Sequence, residues 1–418
     1  MSCVSSRCSS GQEEQLNTEK SMLDESHLWR SNMLGSETDI AIIGAGIGGC
    51  VAAMALAPYY SVTLIDIKRE QQSYLGASLP LAAKHILDKL ALEDVLQSHL
   101  KSPQAMISDW GNDTAELLGN LRNPDGLGWM VNHQMLEKQL RENVVSRGVT
   151  CFWGNDLDES IQDEAGWLLT LSEDVDGNAA LSKQAVRAKV VIDATGRQAT
   201  FAKQQGARYE EEDSLVSVWL TYRSKNKNEL SSIHPSENGW WYSAPLPESE
   251  NPSAEELQHE PKDGTLMLLS YQTDNDLLEP ELAHSTEALL RAAQDIPELA
   301  QLLEAKEPCT EIHCGVKAVN SSRLVDLDHN NWFAIGDAAM SVDPLSSQAL
   351  FQAMASAMQL SELIMKFGID TEVGKTTIAF EFEQQLERIW HQLEAEKLSY
   401  YAQERRWCGS KFWERRAA

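Results

Sequence analysis

"DIAIIGAGIGGCVAAMALA", Asp39 to Ala57, is the stretch on which the fold turns. Asp39 to Ile43 is a short apolar, β-branched run, the pattern of a strand buried on both faces. Gly44, Gly46 and Gly49 then spell G-x-G-x-x-G, with Gly48 inside the same turn. The run CVAAMALA that follows is small, apolar and compatible with a helix. After it, "SVTLIDIK" (Ser61 to Lys68) reads as a second buried strand and carries Asp66, 22 residues beyond Gly44. Strand, glycine turn, helix, strand and acid, in that order, are the parts of a dinucleotide site. One glycine permits the tight turn, another lets the backbone approach a pyrophosphate, and a third lets helix and strand pack closely. The helix N-terminus stabilises the phosphate charge, and Asp66 accepts a hydrogen bond from a ribose hydroxyl.

Two later segments favour FAD over NAD. "AKVVIDATGRQATFA" (Ala188 to Ala202) is a buried strand broken at Thr195 and Gly196. "NNWFAIGDAAMSVDPLSSQALFQAMASAMQLSELI" (Asn330 to Ile364) gives a strand, then Gly336 and Asp337, an irregular loop through Pro344, and a small-residue helix. Asp337 at the strand end is placed to hydrogen-bond a ribityl chain. The helix after Pro344, opening at Ser347, Gln348 and Ala349, aims backbone N–H groups at the pyrimidine end of a flavin, where negative charge gathers on reduction. An NAD dehydrogenase needs no such second cofactor segment.

The bulk numbers set limits. With 418 residues, and roughly 150 per domain, two to three domains are expected. Acidic residues number 63 against 35 basic, a formal net charge of −28. That balance argues against nucleic acid as a partner, which needs a basic footprint, and against an anionic membrane surface. No apolar run approaches the 18 residues of a membrane span. Residues 1–37 are polar and Ser- and Glu-rich, without the apolar core of a secretory signal, and read as a flexible leader. Seven scattered cysteines suggest no disulfide framework and fit a reducing cytoplasm. "CTEIHC" (Cys309 to Cys314) is at most half a metal site, and no second half follows, so no metal is expected.

The three cofactor segments, in this order, resemble the FAD-dependent monooxygenase superfamily of the aromatic hydroxylase and flavin halogenase type. The "ATG" at Ala194 to Gly196 favours its halogenase-like branch. "LGASLPLAAKHIL" (Leu75 to Leu87), "GLGWMVNHQMLEKQL" (Gly126 to Leu140) and "ERRWCGSKFWERR" (Glu404 to Arg416) resemble further segments of that branch. Within it, the chain is similar to the maturation flavoproteins of cysteine tryptophylquinone amine and amino-acid oxidases. The resemblance implies an α/β fold: a Rossmann-like FAD-binding domain of aromatic hydroxylase type, a mixed β-sheet substrate domain and a helical C-terminus. It implies reduced FAD reacting with O₂ to a C4a-hydroperoxide that hydroxylates an aromatic ring. The ring would be a tryptophan in the precursor polypeptide of a quinone-cofactor oxidase, and an electron donor is required. Departures from the pattern are His133, where an arginine near the cofactor phosphates is common, Ala77, where an acid is common, and Ala349, where glycine is usual. A Cβ at Ala349 is costly if that site needs φ > 0. Flavin halogenases carry F-x-x-P-x-x-S-x-G; Ser341, Pro344, Ser347 and Ala349 stand in those places and two of the four match, so hydroxylation is expected over halogenation. Lys84 is the nearest candidate for the halogenases' lysine, and a solvated helix lysine is the plainer reading. A flavin-bound assembly protein and a reductase of isoprenoid lipids are the other readings of the same fold.

"ENGWWYSAPLP" (Glu237 to Pro247) puts Trp240, Trp241 and Tyr242 in line. On a strand, Trp240 and Tyr242 share one face and Trp241 takes the other. "GTLMLLSYQTD" (Gly264 to Asp274) and "SLVSVWLTYR" (Ser214 to Arg223) read as partner strands. One aromatic face is expected to pack inward and the other to line a substrate cavity, which makes Trp240 and Trp241 site candidates. The acidic connection Glu248 to Asp263 is either a solvated loop or a docking element. The expected organisation is a leader (1–37), an FAD-binding domain in two pieces (38–210 and 310–370), a substrate-domain sheet (211–309) and a helical segment (371–418). In the last, Phe382, Leu386, Trp390 and Leu393 fall at helical spacing, as in core packing.

Overall fold

The computed structural model describes residues 36–66, 77–92, 100–101, 105–119, 128–173, 183–225, 230–247, 264–306, 314–325 and 331–416. Nearly all of the leader, the acidic connection 248–263 and Cys309 to His313 lie outside the described residues.

The strand Ser36–Ile43 has Ile40 to Ile43 completely buried, so both of its faces are covered. It lies at the centre of a seven-stranded sheet. Val62–Ile65 and then Thr150–Phe152 run parallel on one side, and Lys183–Asp193 runs parallel on the other. Lys183–Asp193 is 11 residues long and divides its outer edge. Its first part pairs antiparallel with Gly166–Glu173, and its last three residues pair parallel with Trp332–Ala334. That division brings the 193–196 and 336–337 segments to adjacent strand ends. On one face of the sheet lie the helices Ile47–Leu56 and Ala349–Phe367, joined into one core with Phe333 and Phe382. The other face is closed by Trp167, Phe201 and Trp332, whose rings meet edge to face at 5.0 and 5.7 Å.

A second seven-stranded sheet has the order Cys314–Ala318, Leu215–Ser224, Thr265–Asp274, Gly239–Pro245, Leu230–Ser236, Ala105–Ser108, Glu116–Gly119. The three long strands are the ones expected from sequence, with Trp241 opposite Tyr271 and Tyr271 opposite Val218. The pleat sends Trp241, Tyr271, Met267 and Leu269 into a core closed by the helices Thr286–Ala293 and Pro297–Glu304. It sends Trp240 and Ile233 the other way, among Trp110, Tyr401, Phe412 and Trp413. Both tryptophans are buried, at 2% and 3% exposure.

The helix Glu372–Tyr401 links the two sheets. Its 30 residues span about 45 Å. Thr371 caps it by accepting the N–H of Gly374 at 3.1 Å. Phe382 packs under the first sheet, Trp390 and Leu393 pack on Met340 and Val342, and Tyr401 reaches the second sheet. The segment after this helix is held at both ends by ion pairs. Arg406 joins Asp109 at 2.9 Å and Glu404 at 2.6 Å, and Arg416 joins Asp274 at 2.6 Å.

Trp241 stacks on Tyr271 at 4.6 Å within a closed core, so Trp241→Ala leaves a cavity there. The expected cost is about 3–5 kcal/mol, measured by urea denaturation. A loss below about 1 kcal/mol would contradict the packing role.

Candidate functional site

Gly44 has φ +104° and donates its N–H to Ile65 O at 2.7 Å, which ties the turn to the second strand. A Cβ on Gly44 would lie 2.4 Å from Ala194 O, and one on Gly49 would lie 1.9 Å from Gly44 O. Neither position tolerates a side chain. Gly46 caps the helix Ile47–Leu56 and supplies no side-chain acceptor, so a pyrophosphate can take the first N–H groups together with the positive end of the dipole. Gly48 serves another purpose. An added Cβ would come 3.1 Å from Ala353 O on the helix Ala349–Phe367, which makes Gly48 the point of helix–helix contact.

Asp66 ends the second strand nearly buried. Its Oδ2 lies 3.4 Å from Arg141 Nη1, while Oδ1 has no hydrogen-bond partner among the described residues. A buried carboxylate oxygen without a donor is costly, and ribose hydroxyls are donors of the right kind. An orphaned acceptor beside an uncapped helix N-terminus fits the adenosine and pyrophosphate of FAD. Arg141 completes this corner by donating Nε–H to Ala45 O at 2.9 Å. The sequence did not reveal Arg141, because its partner in the turn is 96 residues away. His133 opens the helix His133–Ser146, with Nδ1 3.9 Å from Glu137 Oε1, and Ala77 pairs with Val131 on the strand just before that helix.

Asp193 is fully buried and accepts from Thr195 N–H, Thr195 Oγ–H and Ala202 N–H at 2.7–2.9 Å. Its oxygens are used up within the turn. Gly196 has φ +66° and opens a short turn that carries Arg197. Arg197 donates to Asn320 O at 2.8 Å and sets its Nε 3.7 Å from Asp337 Oδ2. Gly336 has φ +58° and donates to Ser356 Oγ at 2.9 Å. Asp337, the proposed ribityl partner, is therefore positioned from two sides.

Pro344–Ser346 forms a single tight turn, and Gln348 caps the following helix without a side-chain bond to its N–H groups. The expected strain at Ala349 does not arise. Ser347 is the left-handed residue, with φ +53°, and Ala349 is the first helical residue, where a Cβ fits. Lys84 is exposed on the helix Ala83–Lys89, and among the described residues no hydrogen bond ties it to the cofactor segments.

The second sheet is bonded to this turn. Trp240 Nε1–H donates to Tyr401 Oη at 3.1 Å, and Tyr401 donates to Asp343 Oδ2 at 3.1 Å. Asp343 Oδ1 accepts the N–H of Leu345 at 2.8 Å. Burial pushes the Asp343 carboxyl up to about 6. Tyr242, on the same face as Trp240, places its hydroxyl 3.6 Å from Met130 Sδ. Trp241 points away from this face, toward the helical layer.

Two outcomes follow from this geometry. Gly46→Val blocks the backbone approach to the pyrophosphate, so the variant should purify without the yellow flavin absorbance; parent-like flavin content would contradict it. Asp343, raised by burial, keeps its proton in the folded chain after the unfolded chain has lost it. Stability therefore falls as pH rises from the ordinary carboxylate range to about 6. Asp343→Asn stays neutral and escapes this fall. The melting-temperature difference, parent minus variant, should decrease from pH 5 to pH 7, and a flat difference would refute the assignment.

Comparison with known proteins agrees with this fold. The chain is 23% identical over 389 residues to LodB of Marinomonas mediterranea, named as an FAD-dependent oxidoreductase, covering 91% of this chain and 97% of LodB. Among solved structures it shares the fold of QhpG, a peptidyl tryptophan dihydroxylase essential for tryptophylquinone cofactor biogenesis. The TM-score is 0.70 at 20% identity, over 91% of this chain and 79% of QhpG. It also shares the fold of the myxobacterial chondrochloren halogenase CndH, with TM-score 0.74 at 18% identity, over 92% and 86% of the two chains. Residues 37–368 match the FAD binding domain family, and the chain, an FAD-dependent oxidoreductase, belongs to that family.

Proposed function

We propose that the protein is a monooxygenase that hydroxylates an aromatic ring, the indole of a tryptophan in the precursor polypeptide of a quinone-cofactor oxidase. The observation that carries this reading is the chain of hydrogen bonds from Trp240 through Tyr401 to Asp343. It fastens an aromatic face to the turn that leads into the second cofactor helix. FAD, reduced by an electron donor, supplies the activation of O₂. The chain's own residues bind and orient. The uncapped N-terminus after Gly46 would hold the pyrophosphate, Asp66 the ribose, and Asp337, steadied by Arg197, the ribityl chain. The N–H groups at Ala349 would meet the electron-rich end of the flavin. Trp240 and Trp110 are buried and pack behind the half-buried Tyr242, which keeps water out of the aromatic face. In this reading 38–210 and 310–370 form the cofactor part and 211–309 the substrate part, to which the former ranges also lend the strands Ala105–Ser108, Glu116–Gly119 and Cys314–Ala318, and the protein works in the cytoplasm.

The fold shared with QhpG, a peptidyl tryptophan dihydroxylase, supports a polypeptide substrate. Hydroxylation is favoured over halogenation by the 341–349 loop, where only Pro344 and Ser347 match the halogenase pattern, and by the exposed position of Lys84. Incubation with a tryptophan-containing precursor, reductant, O₂ and excess chloride or bromide should add oxygen to the tryptophan, read by mass spectrometry. A halogenated indole as main product would overturn the proposal. Trp240→Phe keeps the ring and removes the donor to Tyr401. It should slow turnover about fivefold, the equivalent of one buried hydrogen bond of about 1 kcal/mol, with flavin content unchanged. Unchanged turnover would separate Trp240 from the chemistry.

A further inference from the structure

We propose that Trp153 is the stacking platform for the adenine ring of FAD and that Arg141 holds it in place. The strand Thr150–Phe152 runs parallel to Val62–Ile65 with Phe152 opposite Ile65, so Trp153 follows directly beside Asp66 in register. The chain is laced around that acid. Asp66 N–H donates to Phe152 O at 2.8 Å, and Asn155 N–H donates to Asp66 O at 3.0 Å. Gly154, with φ +69°, makes the turn between them, and Asn155 Nδ2 donates to Trp153 O at 3.0 Å. Trp153 therefore sits on a fixed turn, and its side chain is 41% exposed.

A single exposed aromatic is ordinary on a protein surface. This one is set apart by where it stands and what touches it. In FAD the adenine is bonded to the ribose that Asp66 is placed to receive, so the group beyond Asp66 meets the base. Arg141 contacts three parts of the corner. Its Nε binds Ala45 O in the glycine turn, its Nη1 lies 3.4 Å from Asp66, and its guanidinium lies over the Trp153 ring at 5.9 Å. A base between guanidinium and indole would need two stacking gaps of about 3.5 Å each, more than the distance present. The adenine therefore stacks on the indole face turned from Arg141. Stacking suits this role because every purine offers a π-face.

The test uses protein freed of FAD, titrated with FAD while intrinsic flavin fluorescence is followed. Trp153→Ala should weaken FAD about tenfold, in the range of one lost base–aromatic stack, and Trp153→Phe should stay within about threefold of the parent on the same scale. The melting temperature of the FAD-free protein should barely move, since the ring is exposed. ADP, which carries the adenosine half without the flavin, should compete with FAD for the parent and lose competing power in Trp153→Ala by the same factor. Arg141→Met should follow Trp153→Ala in both readouts. FAD affinity unchanged in Trp153→Ala would overturn the proposal. So would no competition by ADP in the parent, or ADP competition untouched by the substitution. If Arg141→Met lowers only the melting temperature, its part in the platform is wrong.

Discussion

One close contact sets the cofactor geometry: the approach of Gly49 to the carbonyl of Gly44, where a Cβ would come to 1.9 Å. It fixes the angle at which the helix Ile47–Leu56 leaves the first strand. All ten residues of that helix are buried, so it cannot shift without opening the core. Through Gly48 and Ala353 it then fixes the helix Ala349–Phe367, far along the chain. Two helix N-termini, neither capped by a side chain, are thus placed by one backbone contact. Uncapped N-termini cost the fold stability. Retaining both makes sense where a ligand with a pyrophosphate at one end and an electron-accepting ring at the other satisfies them.

What could be read from the sequence was what short-range periodicity encodes. The glycine turn, Asp66, the strand ending at Asp193, the Gly336–Asp337 segment and the long strands of the second sheet were legible, because each is a local pattern of two-residue alternation or glycine punctuation. The alternation also separated Trp240 from Trp241 correctly onto opposite faces. Arg141, Arg197, Tyr401 and Trp153 were not legible. Their roles depend on partners such as Ala45, Asp337 and Asp343 that only the tertiary fold delivers, as with the 58 residues between Tyr401 and Asp343. The short strands Ala105–Ser108 and Glu116–Gly119 escaped because four residues are too few to show a period. The concern over Ala349 rested on assigning the left-handed residue two positions too late; backbone dihedrals at such a turn are set by the loop's closure, which composition does not record.

Charge distribution explains how the chain ends. A protein with a net charge of −28 repels itself, and cations are concentrated where that repulsion would otherwise open the structure. The final segment carries Arg406, Arg415 and Arg416, and each pairs with acids on or beside the second sheet: Asp109, Asp274 and Asp276. The Asp274–Arg416 pair is almost entirely buried. Such pairs contribute little net stability, because desolvation offsets the attraction, but leaving one partner alone is severely destabilising. They therefore act as a register device, rejecting any placement of the tail that leaves a charge unmatched.

That register matters because of what lies between the two anchors. Phe412 and Trp413 close over Trp110 and Trp240, with Trp110 and Trp413 edge to face at 5.6 Å. Trp413 also donates its Nε1–H to Ser236 O at 2.9 Å. The aromatic face of the second sheet is thus completed by residues at the far end of the chain, while its link to the cofactor turn runs through Tyr401 at the end of the long helix. Helix, tail and turn are consequently one mechanical unit. The aromatic face is positioned relative to the cofactor segments by the 30-residue helix as much as by the sheet, because that helix packs on both the Met340–Val342 segment and the aromatic face.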